Sequence, residues 1–288
     1  MTGTALALVL AAAVLHSVWN ALAKRARDQV AFLWFAQTLS TVLLAPFWLG
    51  MLVVHGFPLS ALPFVVATII LHALYFFTLG NAYRLGEFSL VYPIARGLGV
   101  ALVPILALFV FNERLSPLGT TGVTLVVVGI VGLHLTPGSL KQIGARGSRL
   151  SAGTRWAVLT GLLIGTYSLV DKAGVARLHP VPYIGLLGLG VSVALLPAVR
   201  ARGEALRREW AVNRRALVVA STMTLTGYLL VLFAYRLSKV GYVVAARELS
   251  IVFSAIIGSL WLGEGRLGPR LLGALVILAG VACVALAR

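Results

Sequence analysis

The sequence predicts an all-α polytopic membrane protein of ten transmembrane helices, arranged as two inverted five-helix repeats. Three observations carry that expectation. Of the 288 residues, 60% are hydrophobic and 11% charged, with a mean hydropathy of +0.98, against about 25% charged in a typical soluble domain. Such a chain cannot cover a water-facing surface with polar groups. Apolar runs long enough to cross a bilayer recur along its whole length, and the second half repeats features of the first at a fixed offset.

A spanning helix needs about 20 mostly apolar residues, since the hydrocarbon core is about 30 Å thick and a helix rises about 1.5 Å per residue. Runs of this kind lie at 4–23, 30–54, 61–83, 89–111, 117–135, 153–171, 181–199, 216–235, 241–263 and 268–287, numbered spans 1 to 10. Their backbone groups must be satisfied inside each segment, which makes them helices. They lack the alternation of barrel strands. Span 1 has no basic region before it and Lys24 and Arg25 after it, so it reads as a retained helix rather than a signal peptide.

NAYRL at 81–85 recurs as FAYRL at 233–237, an offset of 152. Ala95-Arg96 returns as Ala246-Arg247 at an offset of 151, which also pairs Glu113 with Glu264, Gly122 with Gly273 and Gly129 with Gly280. Spans 1 and 6 align more loosely, Trp19-Asn20 and Lys24 against Tyr167-Ser168 and Lys172. The repeats are 1–138 and 153–288, joined by a basic loop at 139–152. An odd number of helices per repeat makes the second enter the membrane from the opposite side. That inverted topology is characteristic of secondary transporters, whose substrate site lies near the midplane between repeats.

Several stretches carry a family resemblance. They are HSVWNALAKR (16–25), YPIARG (92–97), RELSIVFSAIIGSLWLGE (247–264) and the Glu-containing turns FNERL (111–115) and LGEGR (262–266). Together they resemble the EamA-type branch of the drug/metabolite transporter superfamily, over nearly the whole chain. The first half departs from the usual Gly-Glu turn, with Asn112-Glu113 in its place. The resemblance implies the ten-helix fold and export of a metabolite. It does not specify the substrate, because the superfamily moves amino acids, sugars, organic acids and drugs.

Charges inside the spans are the first candidates for chemistry, because each costs about 2.5–3.5 kcal/mol or more at mid-membrane. Arg96 lies in span 4, and Arg247 with Glu248 occupies the matching place in span 9. Two arginines facing a central cavity favour an anionic ligand bound in bidentate fashion. The other reading is structural, with either arginine paired to Glu248. Glu248 is also the candidate for proton coupling, since a buried carboxyl accepts a proton more readily. Asp171 ends span 6 beside Lys172 and reads as an interfacial ion pair, with coupling or gating as its functional alternative.

His16, Asn20 and Lys24 are spaced by four and share a helix face, with Trp19 adjacent. Trp19 and Asn20 are candidate pathway residues, whereas Lys24 and Lys172 read as snorkelling to the headgroups. Tyr92 lies one turn before Arg96, with Pro93 between them as a candidate hinge. Span 3 adds His72 and Tyr75, and span 8 adds Thr224 and Tyr228. His72 on its own reads as an interhelical hydrogen bond, while Tyr228 is a binding candidate. Gly122 and Gly129, like Gly273 and Gly280, lie seven apart on one face, so spans 5 and 10 read as close-packing helices and as a candidate homodimer face.

Several classes are excluded or set aside. No disulfide or cysteine zinc site is possible with one cysteine, Cys283. The five histidines show no metal-ligand spacing, and no Walker A sequence is present; no cofactor is expected. The net charge of +16 would suggest nucleic acid in a soluble protein. Here it describes helix ends. Odd-numbered loops hold sixteen Lys/Arg, the opposite side with both termini six, and the last two are Arg96 and Arg247. The positive-inside rule then puts both termini outside, whereas the resemblance implies cytoplasmic termini.

The expected partners are the lipid bilayer of the cell (inner) membrane, a small anionic or zwitterionic metabolite and protons as coupling ion. The expected activity is secondary transport by alternating access. A membrane-embedded enzyme or accessory protein without transport is the alternative.

Overall fold

A computed structural model of the chain describes residues 1–86, 88–134, 151–260 and 268–287. The basic loop's residues 139–150, the LGEGR turn and Glu264 lie outside them, as do the side chains of Lys24 and Pro93.

The described residues form twelve α-helices and one short 3-10 turn at 59–61. In chain order these are α1 (Gly3–Lys24), α2 (Gln29–Leu43), α3 (Ala45–His55), α4 (Leu62–Leu85), α5 (Phe88–Phe111) and α6 (Pro117–His134). The second half contains α7 (Ala152–Val175), α8 (Pro180–Arg200), α9 (Gly203–Leu237), α10 (Val240–Arg247), α11 (Leu249–Leu260) and α12 (Gly268–Leu286). Six helices or helix segments are long and apolar enough to cross a membrane, and α2 with α3 makes a seventh as one bent pair. α6 and α12 contain shorter apolar helices. Large apolar side chains such as Val53, Phe109 and Leu272 stand on the outside of the molecule, as a lipid-facing surface requires. The chain is a multi-pass membrane protein.

Helix ends follow from local chemistry. Thr2, Asp28 and Ser151 accept hydrogen bonds from the backbone amides of Ala5, Ala31 and Thr154, capping α1, α2 and α7. Pro180 opens α8 behind His179, where its missing N–H costs nothing. Asn112 takes a left-handed backbone at φ 53, and the Glu113 amide reaches back to the Ala107 carbonyl at 3.2 Å. Asn112 therefore does the work of a terminating glycine.

Three spans differ from the sequence expectation. The run at 30–54 bends by 48° where α2 meets α3, with Pro46 at the start of the second piece, since proline cannot continue an i→i−4 ladder. The arginine-rich connection before span 8 is helical: α9 begins at Gly203 and is kinked at Asn213 (φ −111, ψ 15). Span 9 breaks between Arg247 and Glu248, where Glu248 caps α10.

Long-range packing joins the halves. α1 lies against α9 and α11, α4 and α5 against α7, α2 against α8 and α9, and α6 against α12. In that last pair a Cβ on Gly122 would stand 2.7 Å from the Gly280 carbonyl, and one on Gly129 2.9 Å from the Gly273 carbonyl. The glycine faces that suggested a homodimer through spans 5 and 10 thus cover each other inside one chain.

Outside the spans, Asp28 ties the start of α2 to α9. Its carboxylate accepts from Arg202 at 2.9 Å, and its amide donates to Glu209 at 2.7 Å. Partial burial pushes the Asp28 carboxyl up, but the Ala31 amide and the Arg202 guanidinium outweigh it and hold it below the usual carboxylate range.

Candidate functional site

A cavity of about 150 Å³ lies between the halves. Its walls come from α1 (His16, Trp19), α2 (Gln37), α4 (His72, Tyr75), α7 (Tyr167), α9 (Thr224, Tyr228) and the end of α10 (Arg247), with apolar side chains between them. Among the described residues its lining holds one guanidinium and no carboxylate. The volume is below the roughly 300–1,000 Å³ of drug-sized sites and suits a small ligand.

Arg247 reaches this place because α10 stops beneath it. Its guanidinium carbon stands 5.3 Å from the centre of the Tyr228 ring, within cation–π range. Arg96, its counterpart in the repeat, has a different environment. Arg96 Nε donates to Glu248 Oε2 at 3.0 Å and Nη2 to Oε1 at 2.5 Å, with both residues buried at 7% and 2% exposure. The sequence accounts for the asymmetry. At an offset of 151 Glu248 corresponds to Gly97, so the second half supplies a carboxylate to Arg96 and the first half supplies none to Arg247.

A second acid joins this layer. Asp171 is fully buried. Its Oδ1 accepts from Thr68 Oγ1 at 2.5 Å and from the Tyr183 hydroxyl at 2.8 Å, and its Oδ2 accepts from the Tyr228 hydroxyl. His72 Nε2 lies 4.0 Å from Oδ2. The interfacial pairing of Asp171 with Lys172 is thereby corrected. Adjacent helical residues point in different directions, and Lys172 instead bridges to Glu113 at 2.7 Å and donates to the Ser238 carbonyl at 2.8 Å. The expected headgroup-snorkelling of Lys172 gives way to this internal bridge.

Of the other candidates, Trp19 lines the cavity, edge-on to His16 at 5.0 Å. Asn20 does not; its amide donates to the His16 carbonyl at 2.7 Å. Tyr92 is half-buried outside the cavity lining. Tyr228 touches both the cavity and Asp171. Sequence reasoning missed Gln37, Thr68 and Tyr183. Thr68 was legible, since Thr68 and His72 are four apart on one helix face, the spacing that drew attention to His16 and Asn20.

Residues 151–286 match the model of the EamA-like transporter family. A multidrug transporter of Pseudomonas aeruginosa is 38% identical over 47 residues, 16% of this chain and 43% of that protein; the chain thus spans less than half of that relative's length. A solved crystal structure superposes with a TM-score of 0.70 at 19% identity, covering 99% of this chain and 98% of its own. That likeness concerns the fold.

Proposed function

We propose that this chain, of the EamA type through its second half, is a secondary transporter of a small organic anion or zwitterion. It works by alternating access between two inverted halves of five spans each. One observation carries the reading: Arg247, lacking the carboxylate that Arg96 has, projects into an aromatic-walled cavity between the halves. A guanidinium there would take a carboxylate or phosphate in bidentate fashion, and the aromatic walls would take an apolar body. Substrate binding thus falls to Arg247, Trp19 and Tyr228 at the cavity, with Asn20 and Tyr92 backing it from behind the wall.

Helix pairing supports the inverted repeat. Exchanging the halves maps α1 onto α7, α4 onto α9 and α6 onto α12. The packing of α1 on α9 then has its counterpart in α7 on α4. The contact of Gly122 with Gly280 likewise maps onto that of Gly273 with Gly129. Counting α2–α3 and α10–α11 each as one span, with α6 and α12, brings the spans to the ten read from the sequence. The Arg96–Glu248 pair ties α5 to the break in span 9, which supports gating as the role of Glu248, with Pro93 on the same α5. The inner membrane is the site of action, and the arginine bias of the loops favours external termini.

The test is a thermal-shift screen of carboxylates, phosphonates and zwitterions on the detergent-solubilised protein, followed by flux of the hits in liposomes. Hits should disappear in Arg247→Ala, and flux should follow an ion gradient. Hits that persist unchanged in Arg247→Ala contradict the anion site. Binding without flux, with chemical turnover of the hit, points to the membrane-enzyme alternative.

A further inference from the structure

The imidazole of His72 lines the cavity with the carboxylate of Asp171 close to it, and the hydrogen bonds around them fix the imidazole's tautomer. His72 Nδ1 lies 2.9 Å from the Thr68 carbonyl and 3.0 Å from Thr68 Oγ1. A carbonyl only accepts, and the Thr68 hydroxyl proton is already given to Asp171 Oδ1, so Nδ1 must carry hydrogen and donate. In neutral imidazole Nε2 is then the bare nitrogen. Nε2 stands 4.0 Å from Asp171 Oδ2, so a proton taken up there would place a cation beside the carboxylate. Asp171 already receives three hydroxyl hydrogen bonds.

We propose that the His72–Asp171 pair is the protein's proton site and that it is coupled to anion binding at Arg247; the coupling half of this proposal rests on the transport reading above. The added proton bonds to Nε2 and leaves a doubly protonated imidazolium beside an unchanged carboxylate. No other bond is made or broken. His72 lines the cavity, so the proton has a route from the substrate side. Tyr228 forms the link. Its hydroxyl donates to Asp171 and its ring lies under the Arg247 guanidinium.

The groups around His72 pull in opposite directions. The Asp171 carboxylate at 4.0 Å attracts a proton, whereas burial and the Arg247 guanidinium, which lines the same cavity from α10, oppose one. Tyr167 at 4.3 Å, Tyr228 at 5.8 Å and Tyr75, packed on Tyr167, are neutral hydroxyl-bearing rings. His16 and Trp19 line the same cavity from α1, and Tyr183 reaches the pair through Asp171 from α8. A bound anion cancels the Arg247 charge, so the anion and the proton bind together. Linkage makes the effect reciprocal. Glu248, in contrast, is occupied by its two hydrogen bonds to Arg96.

The experiment uses the full chain in detergent micelles with ¹⁵N-labelled histidine, His72→Gln serving to assign the signal, and phenylacetate as the anionic probe. His72 should show the Nδ1–H tautomer at high pH and become doubly protonated as pH falls. In Asp171→Asn the half-protonation pH should drop by about one unit or more, the scale of losing an opposite charge at this distance. Saturating phenylacetate should raise the protonated fraction of wild-type His72 at fixed pH, and should not do so in Arg247→Ala.

An Nε2–H tautomer, or no protonation between pH 5 and 8, overturns the proton site even if phenylacetate binds. Phenylacetate binding that depends on Arg247 but leaves His72 unchanged overturns the coupling and leaves the anion site standing. If His72 titrates as described while phenylacetate binding ignores Arg247, the proton site stands and the transport reading loses its anion site. If Asp171→Asn does not fold, Tyr228→Phe replaces it: the probe's effect on His72 should weaken at least threefold, and an unchanged effect removes Tyr228 from the link.

Discussion

Arg96 and Arg247 stand in matching Ala-Arg pairs 151 residues apart and live in different surroundings. Arg96 is locked to Glu248 by two hydrogen bonds; Arg247 borders a cavity with a tyrosine ring beneath it. The glycines of α6 and α12 behave in the opposite way, meeting across the halves in pairs that exchange into one another. A single difference, Glu248 against Gly97 at the offset of 151, underlies the contrast, because it completes an ion pair with Arg96 and supplies no matching carboxylate to Arg247.

The largest expected effect breaks the structural side of this contrast. Arg96→Ala strands Glu248 as an unpaired buried carboxylate and should cost about 3–5 kcal/mol, read as loss of monodisperse protein or a sharp fall in Tm. Arg247→Ala should leave Tm within about 2 °C, on the scale of a near-neutral change. Equal falls in Tm for both variants would erase the contrast.

Next comes the symmetric seam. Gly122→Val drives Cβ to within 2.7 Å of the Gly280 carbonyl and 2.8 Å of Val284 and should cost about 1–3 kcal/mol. Gly132→Ala, where nothing lies within 4 Å, is the control. A Gly122→Val protein of normal Tm but altered oligomeric state would mean that the glycine face serves a dimer after all.

The smallest effect lies at the rim. Asp28 is held below its ordinary value of about 3.9, so its stabilising contribution is present above that pH and is lost as pH falls through the folded value. Arg202 is 48% exposed, so solvent screening limits the pair to about 0.5 kcal/mol or less. Tm measured from pH 6 to pH 3 should fall slightly more steeply for wild type than for Asp28→Asn. Parallel curves would remove the pair from the account.

Much of this was legible from residue order. Hydropathy located nearly every helix, and the 151-residue offset singled out Arg96 and Arg247. The breaks were not legible, because apolar composition runs unchanged through Leu44 and on both sides of Arg247-Glu248 while the backbone turns there. Asp171 misled because its sequence neighbour is a lysine. On a helix, residues one apart face about 100° away from each other, so its partners came from α4, α8 and α9. Tyr183 became visible as its partner only when those helices were brought together.

The division of labour between the two arginines is the central claim, and equilibrium binding of phenylacetate to folded, detergent-solubilised wild type and Arg247→Ala tests it most directly. Loss of a bidentate charge-assisted contact worth about 1.5–3 kcal/mol should weaken binding by about 10-fold to 100-fold at an unchanged Tm. Equal affinity in the two proteins would contradict it.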